Sequence, residues 1–319
     1  MTFTIRKAKA EDLEAVIKLL PDPDSLSLEK AKSSFEKMGL YSSYTLFVVL
    51  KDSALVAAFS LMIMDNLAHE GTPSGLIDDL VIASSEVSKG SIANKIMDFA
   101  LEQCNKDHCY KLCVSGHQQL VQDLLNNNAS GLSQHGLCFV MNTVKKAGAN
   151  EPFSFQNNGI KIGQAKSSDL NEILELYKQP DMDDKVLALE QAVVLYNKMS
   201  ANPHYKIYIA LAEQQIVGTF ALLIIPSLMH QDKSLAIVED VMVSPKAQGK
   251  GVGKLMMRAA LQLAESMDCY KLALSSNSKR DKAHSFYRTQ GFAELGASFM
   301  IQPKEAFVAE PDRPMSKAI

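Results

Sequence analysis

Two stretches of this 319-residue chain fall onto one another without a gap. At an offset of 161, Glu29, Ala31, Lys37 and Met38 meet Glu190, Ala192, Lys198 and Met199. The same offset pairs Tyr44 with Tyr205, Leu50 with Leu211, Phe59 with Phe220, Leu67 with Leu228, His69 with His230 and Asp79 with Asp240. The tetrapeptide "CYKL" stands at 109–112 and again at 269–272, and near the start "IRKAKAEDL" meets "IGQAKSSDL" at an offset of 157. A chain written this way is a tandem duplication, which restricts it to two copies of one fold. The expected units are 1–145 and 159–319. They are joined by a linker at 146–158, where "KKAGANEPFSFQNN" supplies Gly, Pro and three Asn.

Each copy has ordinary domain length, and 47% hydrophobic against 22% charged residues is the balance of a soluble globular chain. A net charge of -3 without Lys/Arg runs argues against nucleic acid as a partner. No apolar run approaches 18 residues, so no membrane span is expected, and "MTFTIRKAKAEDL" lacks the apolar core of a secretory signal. The five cysteines are odd in number and contain no Cys-x-x-Cys pair, which disfavours a disulfide framework or a metal site. They read as small buried side chains in a reducing compartment, giving a cytoplasmic expectation.

Within each copy the signals come in the same order. "ALVAAFSLMIM" and "QIVGTFALLII" are short, apolar and branched, as strands are. "GLIDDLVIA" and "LAIVEDVMVS" are further strands, each with two acids set in an apolar run. "GKLMMRAALQLAESM" spaces Leu255, Met256, Ala259, Ala260 and Leu263 as one helix face, and Met256, Met257 and Met267 are read as core. A second helix, "DKAHSFYRTQG", ends at Gly291, with His284 expected on its surface. Strands alternating with helices imply an α/β unit with a mixed sheet.

The chemistry concentrates in "VEDVMVSPKAQGKGVGKLMM": a strand, a short turn, then "QGKGVG" opening into a helix. Gly249, Gly251 and Gly253 leave backbone N–H groups uncovered. The helix start adds unpaired donors and a positive dipole end, which together suit a pyrophosphate. Neither G-x-G-x-x-G nor the G-x-x-x-x-G-K-[ST] loop is present. Gln248, Gly251 and Gly253 instead resemble the Gln/Arg-x-x-Gly-x-Gly/Ala motif of the GNAT family of acetyl-CoA-dependent N-acetyltransferases. "DCYKLALSS" and "AHSFYRTQGF" follow in that family's order, and the resemblance spans nearly all of 160–303. It is similar to small-amine members such as the glucosamine-6-phosphate N-acetyltransferases.

The resemblance implies two tandem GNAT (acyl-CoA N-acyltransferase) domains, each with a mixed, splayed sheet flanked by helices. It implies that Val241, Met242 and Val243 pair with the pantetheine arm of acetyl-CoA. Gln248, Gly249, Lys250, Gly251, Val252, Gly253 and Lys254 would hold the diphosphate. Asn277 is a further cofactor contact, displaced from the family's usual place, where Arg280 stands three residues before Ala283. Tyr287 takes the family's general-acid position, protonating the departing thiolate, and the N–H of Met242 or Val243 is the oxyanion donor. The base is Glu239, which shares strand parity with Val241, or Asp240, unless an ordered water serves. Paired acids in a strand also serve as a structural pair, and Asp240 recurs as Asp79 in the other copy.

The first copy departs from the motif. Ser88, Lys89, Ser91 and Ala93 stand at Gln248, Gly249, Gly251 and Gly253, and Leu132 stands at Tyr287. Leucine cannot donate a proton, so the first copy is expected to be a silent relative that shapes the acceptor cleft. It could hold a second, weak or non-productive CoA. Asp65 and Glu70 would draw in a cationic amine. The expected activity is acetyl transfer to a primary amine, either on a small molecule or on a protein lysine or N-terminus. The alternative is a CoA-binding, partner-binding module with vestigial activity. The tandem layout and the tail "AEPDRPMSKAI" also resemble bacterial effector acetyltransferases of the VipF type, which implies secretion into a host cytosol and a host protein partner.

Overall fold

The structure, a computed structural model, describes residues 2–87, 91–115, 134–143, 155–157, 159–179, 185–230 and 233–300. The first repeat runs β1 (Phe3–Lys7), α1 (Leu13–Ile17), α2 (Leu28–Gly39), β2 (Tyr44–Lys51), β3 (Ala54–Met64), β4 (Ser74–Ile82), α3 (Ser84–Val87), α4 (Ser91–Lys106), β5 (Lys111–Ser115) and β6 (Gln134–Asn142). The second runs β7 (Gln156–Asn157), β8 (Ile160–Gln164), α5 (Leu170–Tyr177), α6 (Leu189–Ala201), β9 (Tyr205–Ala212), β10 (Gln215–Pro226), β11 (Ser234–Val243), α7 (Val252–Ser266), β12 (Cys269–Asn277), α8 (Asp281–Thr289) and β13 (Ala293–Met300). The apolar runs that announced β3 and β10 are buried along almost their whole length, because apolar side chains cover both faces of the sheet there.

The described strands form one 13-stranded sheet, in the order β1-β2-β3-β4-β5-β13-β6-β12-β11-β10-β9-β8-β7. The two repeats therefore exchange their last strands. β13 of the second repeat pairs with β5 of the first, from Gly296↔Ser115 to Met300↔Lys111. β6 of the first pairs with β12 of the second, from Lys271↔Asn142 to Asn277↔Gly136. At the end of that ladder a Cβ on Gly136 would stand 2.1 Å from the Ser276 carbonyl oxygen, so this approach admits glycine alone. The exchange also carries side chains across. Phe139 is buried in the second repeat's core with Tyr287 and Phe292, while Phe299 is buried in the first repeat's core with Phe47 and Phe59.

Helix α8 ends as expected, with Gly291 at φ 94° just past its last turn. All five cysteines are free and buried. No helix among the described residues is long and apolar enough to cross a membrane. Some expectations need correction. Met267 is 42% exposed, because it follows the last residue of α7 and has left the helix face that carries Met256 and Met257 inward. His284 is buried, not on the helix surface: its ring lies 5.2 Å from that of Phe139, and Nε2 contacts the Asn277 carbonyl oxygen at 2.9 Å. Of the expected linker, residues 156–157 form β7 on the sheet edge. Residues 146–154 and 158, like the tail from 301 onward, lie outside the described residues.

Candidate active site

β11 and β12 run parallel from Ser234↔Cys269 to Val238↔Leu274, and there their pairing stops. Glu239 to Val243 continue along β10 alone, so the sheet splits beside them. The first repeat splits at the equivalent place, after Ile77↔Val114. A bulge marks each split. Thr219 faces Met242 and Ala221 faces Glu239, which leaves two β11 residues opposite Phe220. Asp240 sits on this bulge at φ 54°, and its counterpart Asp79 at φ 47°. The bulge overrides simple alternation, so both Glu239 and Asp240 are buried with partners of their own. Beyond it, Ser244 donates its N–H to Val217 of β10, and alternation gives Met242 the same direction. The N–H of Val243 is thereby the one turned toward the split.

The split leads to the glycine turn. Gly249 and Gly251 have φ 75° and 84°, and a Cβ on either would meet nothing within 4 Å, so the space over the turn is open. Gly251 is the N-cap of the 15-residue α7, with no side-chain cap, which leaves the first N–H groups for a ligand. Gln248, Lys250 and Lys254 are exposed around it, whereas the Val252 side chain is buried in the core and can offer only its backbone. Gln248 Nε2 donates to the Val243 carbonyl oxygen at 3.3 Å, tying turn to strand. An open, uncapped, lysine-flanked helix start fits a diphosphate, the polar end of CoA.

Tyr287 reaches this region from α8. It is buried, with the rings of Phe139, Phe286 and Phe292 at 5.4, 5.4 and 5.9 Å. Burial pushes its phenol up to about 12, with Arg280 and Lys111 pulling the other way and Glu239 adding to the rise. Its ring belongs to the buried cluster that also holds Val238 of β11 and Val252 of α7. Asn277 caps the turn into α8, its side-chain oxygen accepting from the Lys279 N–H at 2.9 Å. Of the first repeat's altered motif, Ala93 is buried, while Ser88, Lys89 and Leu132 lie outside the described residues.

The acids meet partners from the other repeat. Lys111 Nζ donates to Glu239 Oε2 at 2.8 Å, and Lys271 Nζ donates to Asp78 Oδ1 at 3.1 Å. All four side chains are nearly inaccessible to solvent. Burial alone would drive the Lys111 ammonium down, but the Glu239 charge and hydrogen bond, with Tyr110 and Cys113, together outweigh it and hold it well above the usual lysine range. The second acids differ. Asp79 accepts from Ser227 Oγ at 2.6 Å and from the N–H groups of Leu228 and Met229 at 2.9 and 3.4 Å. Asp240 accepts only the Ala68 N–H, at 3.4 Å, and its Oδ1 has no partner among the described residues. Sequence explains the difference: Ser227 corresponds to Asn66, which spends its amide on Thr72 and Ser74 of its own repeat. Burial raises Asp240 to about 6, with the Glu239 charge contributing, while His69, the Ala68 N–H and Lys111 pull against it. Lys111 and Ser275 escaped the sequence reading. Their signal was the lysine kept in both "CYKL" strands opposite acids kept in both bulged strands. Asp65 is occupied by Lys198 at 2.8 Å, leaving Glu70 as the exposed acid of that loop.

Residues 169–292 match the acetyltransferase (GNAT) family. Glucosamine 6-phosphate N-acetyltransferase of Trypanosoma brucei brucei is 28% identical over 133 residues, 42% of this chain and 88% of that protein. The Candida albicans enzyme of the same name is 26% identical over 118 residues, 36% of this chain and 77% of its own length. Over the whole chain, a GCN5-related N-acetyltransferase from Sphaerobacter thermophilus superposes with a TM-score of 0.54 at 14% identity, covering 96% of this chain and 98% of that one. A tandem GNAT protein of the clavulanic acid biosynthesis pathway gives 0.50 at 12% identity, covering 95% and 100%. These two establish the fold. The family match falls on the repeat that holds the glycine turn, the split strands and Tyr287.

Proposed function

We propose that the second repeat transfers acetyl from acetyl-CoA to a primary amine by direct attack, with the first repeat walling the acceptor side. One observation carries this reading: β11 leaves β12 after Val238 and runs into an open left-handed glycine turn at a helix start. Acetyl-CoA, when bound, supplies an activated acyl group as a thioester. Residues 248–254 hold its diphosphate through backbone N–H groups, and the Val243 N–H is the donor for the developing oxyanion. Asp240 is the better base, since Oδ1 is unpartnered while Glu239 is engaged by Lys111. A phenol near 12 stays protonated at working pH, the form that can donate to the sulfur. Full transfer to a thiol of about 8.5 is uphill, so Tyr287 acts by hydrogen-bond donation until the thiolate reaches water.

The loop of the first repeat supports its role as a wall. The Ala68 N–H and His69 lie beside Asp240, and a Cβ on Gly71 would touch Leu187 and Leu195 of the second repeat. The test is thiol release from acetyl-CoA with a panel of amines, beginning with glucosamine 6-phosphate and other amino sugars and extending to peptide lysines and N-termini. Tight CoA binding without turnover on any amine would replace this reading with that of a binding module.

Two expectations follow directly. Gly251→Ala should strain the turn by about 1–2 kcal/mol and weaken CoA binding in calorimetry; unchanged affinity would detach the turn from the ligand. Asp240 works as a base only when ionised, and burial raises it, so turnover should fall as pH drops through about 6 and level off above. The groups facing it are His69, Glu239, Lys111, Tyr177 and Tyr205. Asp240→Asn should abolish that acid limb along with most of the rate. A limb surviving in this variant would assign it elsewhere.

A further inference from the structure

We propose that Lys111, a residue of the first repeat, positions the second repeat's active site by clamping the vertex of its split strands. The last paired residues there are Val238 and Leu274, so the first unpaired ones are Glu239 on β11 and Ser275 on β12. Lys111 Nζ donates to both, to Glu239 Oε2 at 2.8 Å and to Ser275 Oγ at 2.7 Å. One ammonium thus bridges the two strands at the first step of their separation. Two parallel strands that part without a fastening can zip one residue further or gape. Either movement would shift Asp240 and the Val243 N–H relative to the glycine turn. The clamp fixes where the parting begins.

The arrangement is mirrored. Lys271 of the second repeat donates to Asp78, the residue immediately after the last β4–β5 pair, Ile77↔Val114. The Tyr270 hydroxyl donates to the other oxygen of Asp78 at 3.1 Å. Each repeat thereby sends a lysine to the first residue beyond the other's last strand pair, and a silent first repeat is retained because the active one is incomplete without its lysine. This inference rests on the proposed acetyl transfer for its kinetic consequence, though not for the clamp itself.

The mirror supplies its own control. In the full-length chain, Lys111→Met and Ser275→Ala remove the clamp. Ser275→Ala does so without stranding a buried charge, which secures a folded variant. Lys271→Met breaks an equally buried pair in the other split. Each variant is measured at a temperature where it is folded by circular dichroism. Hydrogen exchange at the amides of 239–243 should quicken roughly tenfold or more in Lys111→Met and Ser275→Ala. The kcat should fall on the order of 10²-fold in Lys111→Met and roughly tenfold in Ser275→Ala. The Kd for CoA should stay within about threefold, because the diphosphate is held at 248–254. Lys271→Met should leave those amides and kcat near the parent values and loosen 78–82 instead. Unchanged exchange at 239–243 in the first two variants, or an equal effect from Lys271→Met, overturns the clamp. Absence of acetyl transfer in the parent would overturn the functional reading, and the exchange and calorimetry would still decide the clamp.

Discussion

Tyr287→Phe should lower acetyl turnover by about 10²- to 10⁴-fold, the usual range for removing a positioned proton donor. The substitution deletes one oxygen and keeps the ring among Phe139, Phe286 and Phe292. Stability should therefore change by at most about 1.5 kcal/mol, the net worth of one hydrogen bond. CoA affinity should hold, since the diphosphate contacts lie in the turn at 248–254. The loss belongs in kcat, and steady-state kinetics beside calorimetry would separate the two. A Tyr287→Phe protein within a few-fold of the parent would remove the phenol from the chemistry and return it to the core.

The second large effect concerns stability. Lys271→Met leaves Asp78 inside the protein without its cation, and breaking a buried pair this way costs about 3–5 kcal/mol. The two side chains are 7% and 5% exposed, so solvent does little to screen the loss. Removing both charges in Asp78→Asn with Lys271→Met should recover most of it, because the desolvation cost goes with the charge. The pair between Lys198 and Asp65 offers a contrast. Its lysine is 57% exposed, and Lys198→Met should cost less than about 1 kcal/mol. Urea unfolding midpoints of the four proteins would show the ordering. Equal losses at both sites would mean that the buried pair is worth no more than a surface one.

What could be read from the sequence was what neighbouring residues decide. The runs at 54–64 and 215–225 are strands because eleven apolar-rich positions in a row leave no polar face for a helix. Gly249, Gly251 and Gly291 mark left-handed turns that other residues adopt only under strain. What escaped depended on distant partners. Both β6 and β13 would pair with either penultimate strand, and only Gly136, pressed on the Ser276 carbonyl, hints at the choice made. Alternation predicted one inward acid, and a bulge turned both to use. His284 looked like a surface residue until the exchanged strand brought Phe139 over it. The difference between Asp79 and Asp240 came from Ser227 and Asn66, each in a loop of the opposite repeat.

The exchanged strands also bear on how the molecule is born. A ribosome delivers β5 long before β13, with residues 116–292 still to be added. At ordinary elongation speeds of about 5–20 residues per second, that edge waits roughly 10–40 s for its neighbour. During this interval β5 presents unpaired backbone groups beside an unfinished core, the condition that invites pairing with foreign strands. Maturation of the amino-terminal half thus waits for the last strand of the other repeat, so a premature stop anywhere upstream of Ala293 would cripple both halves together.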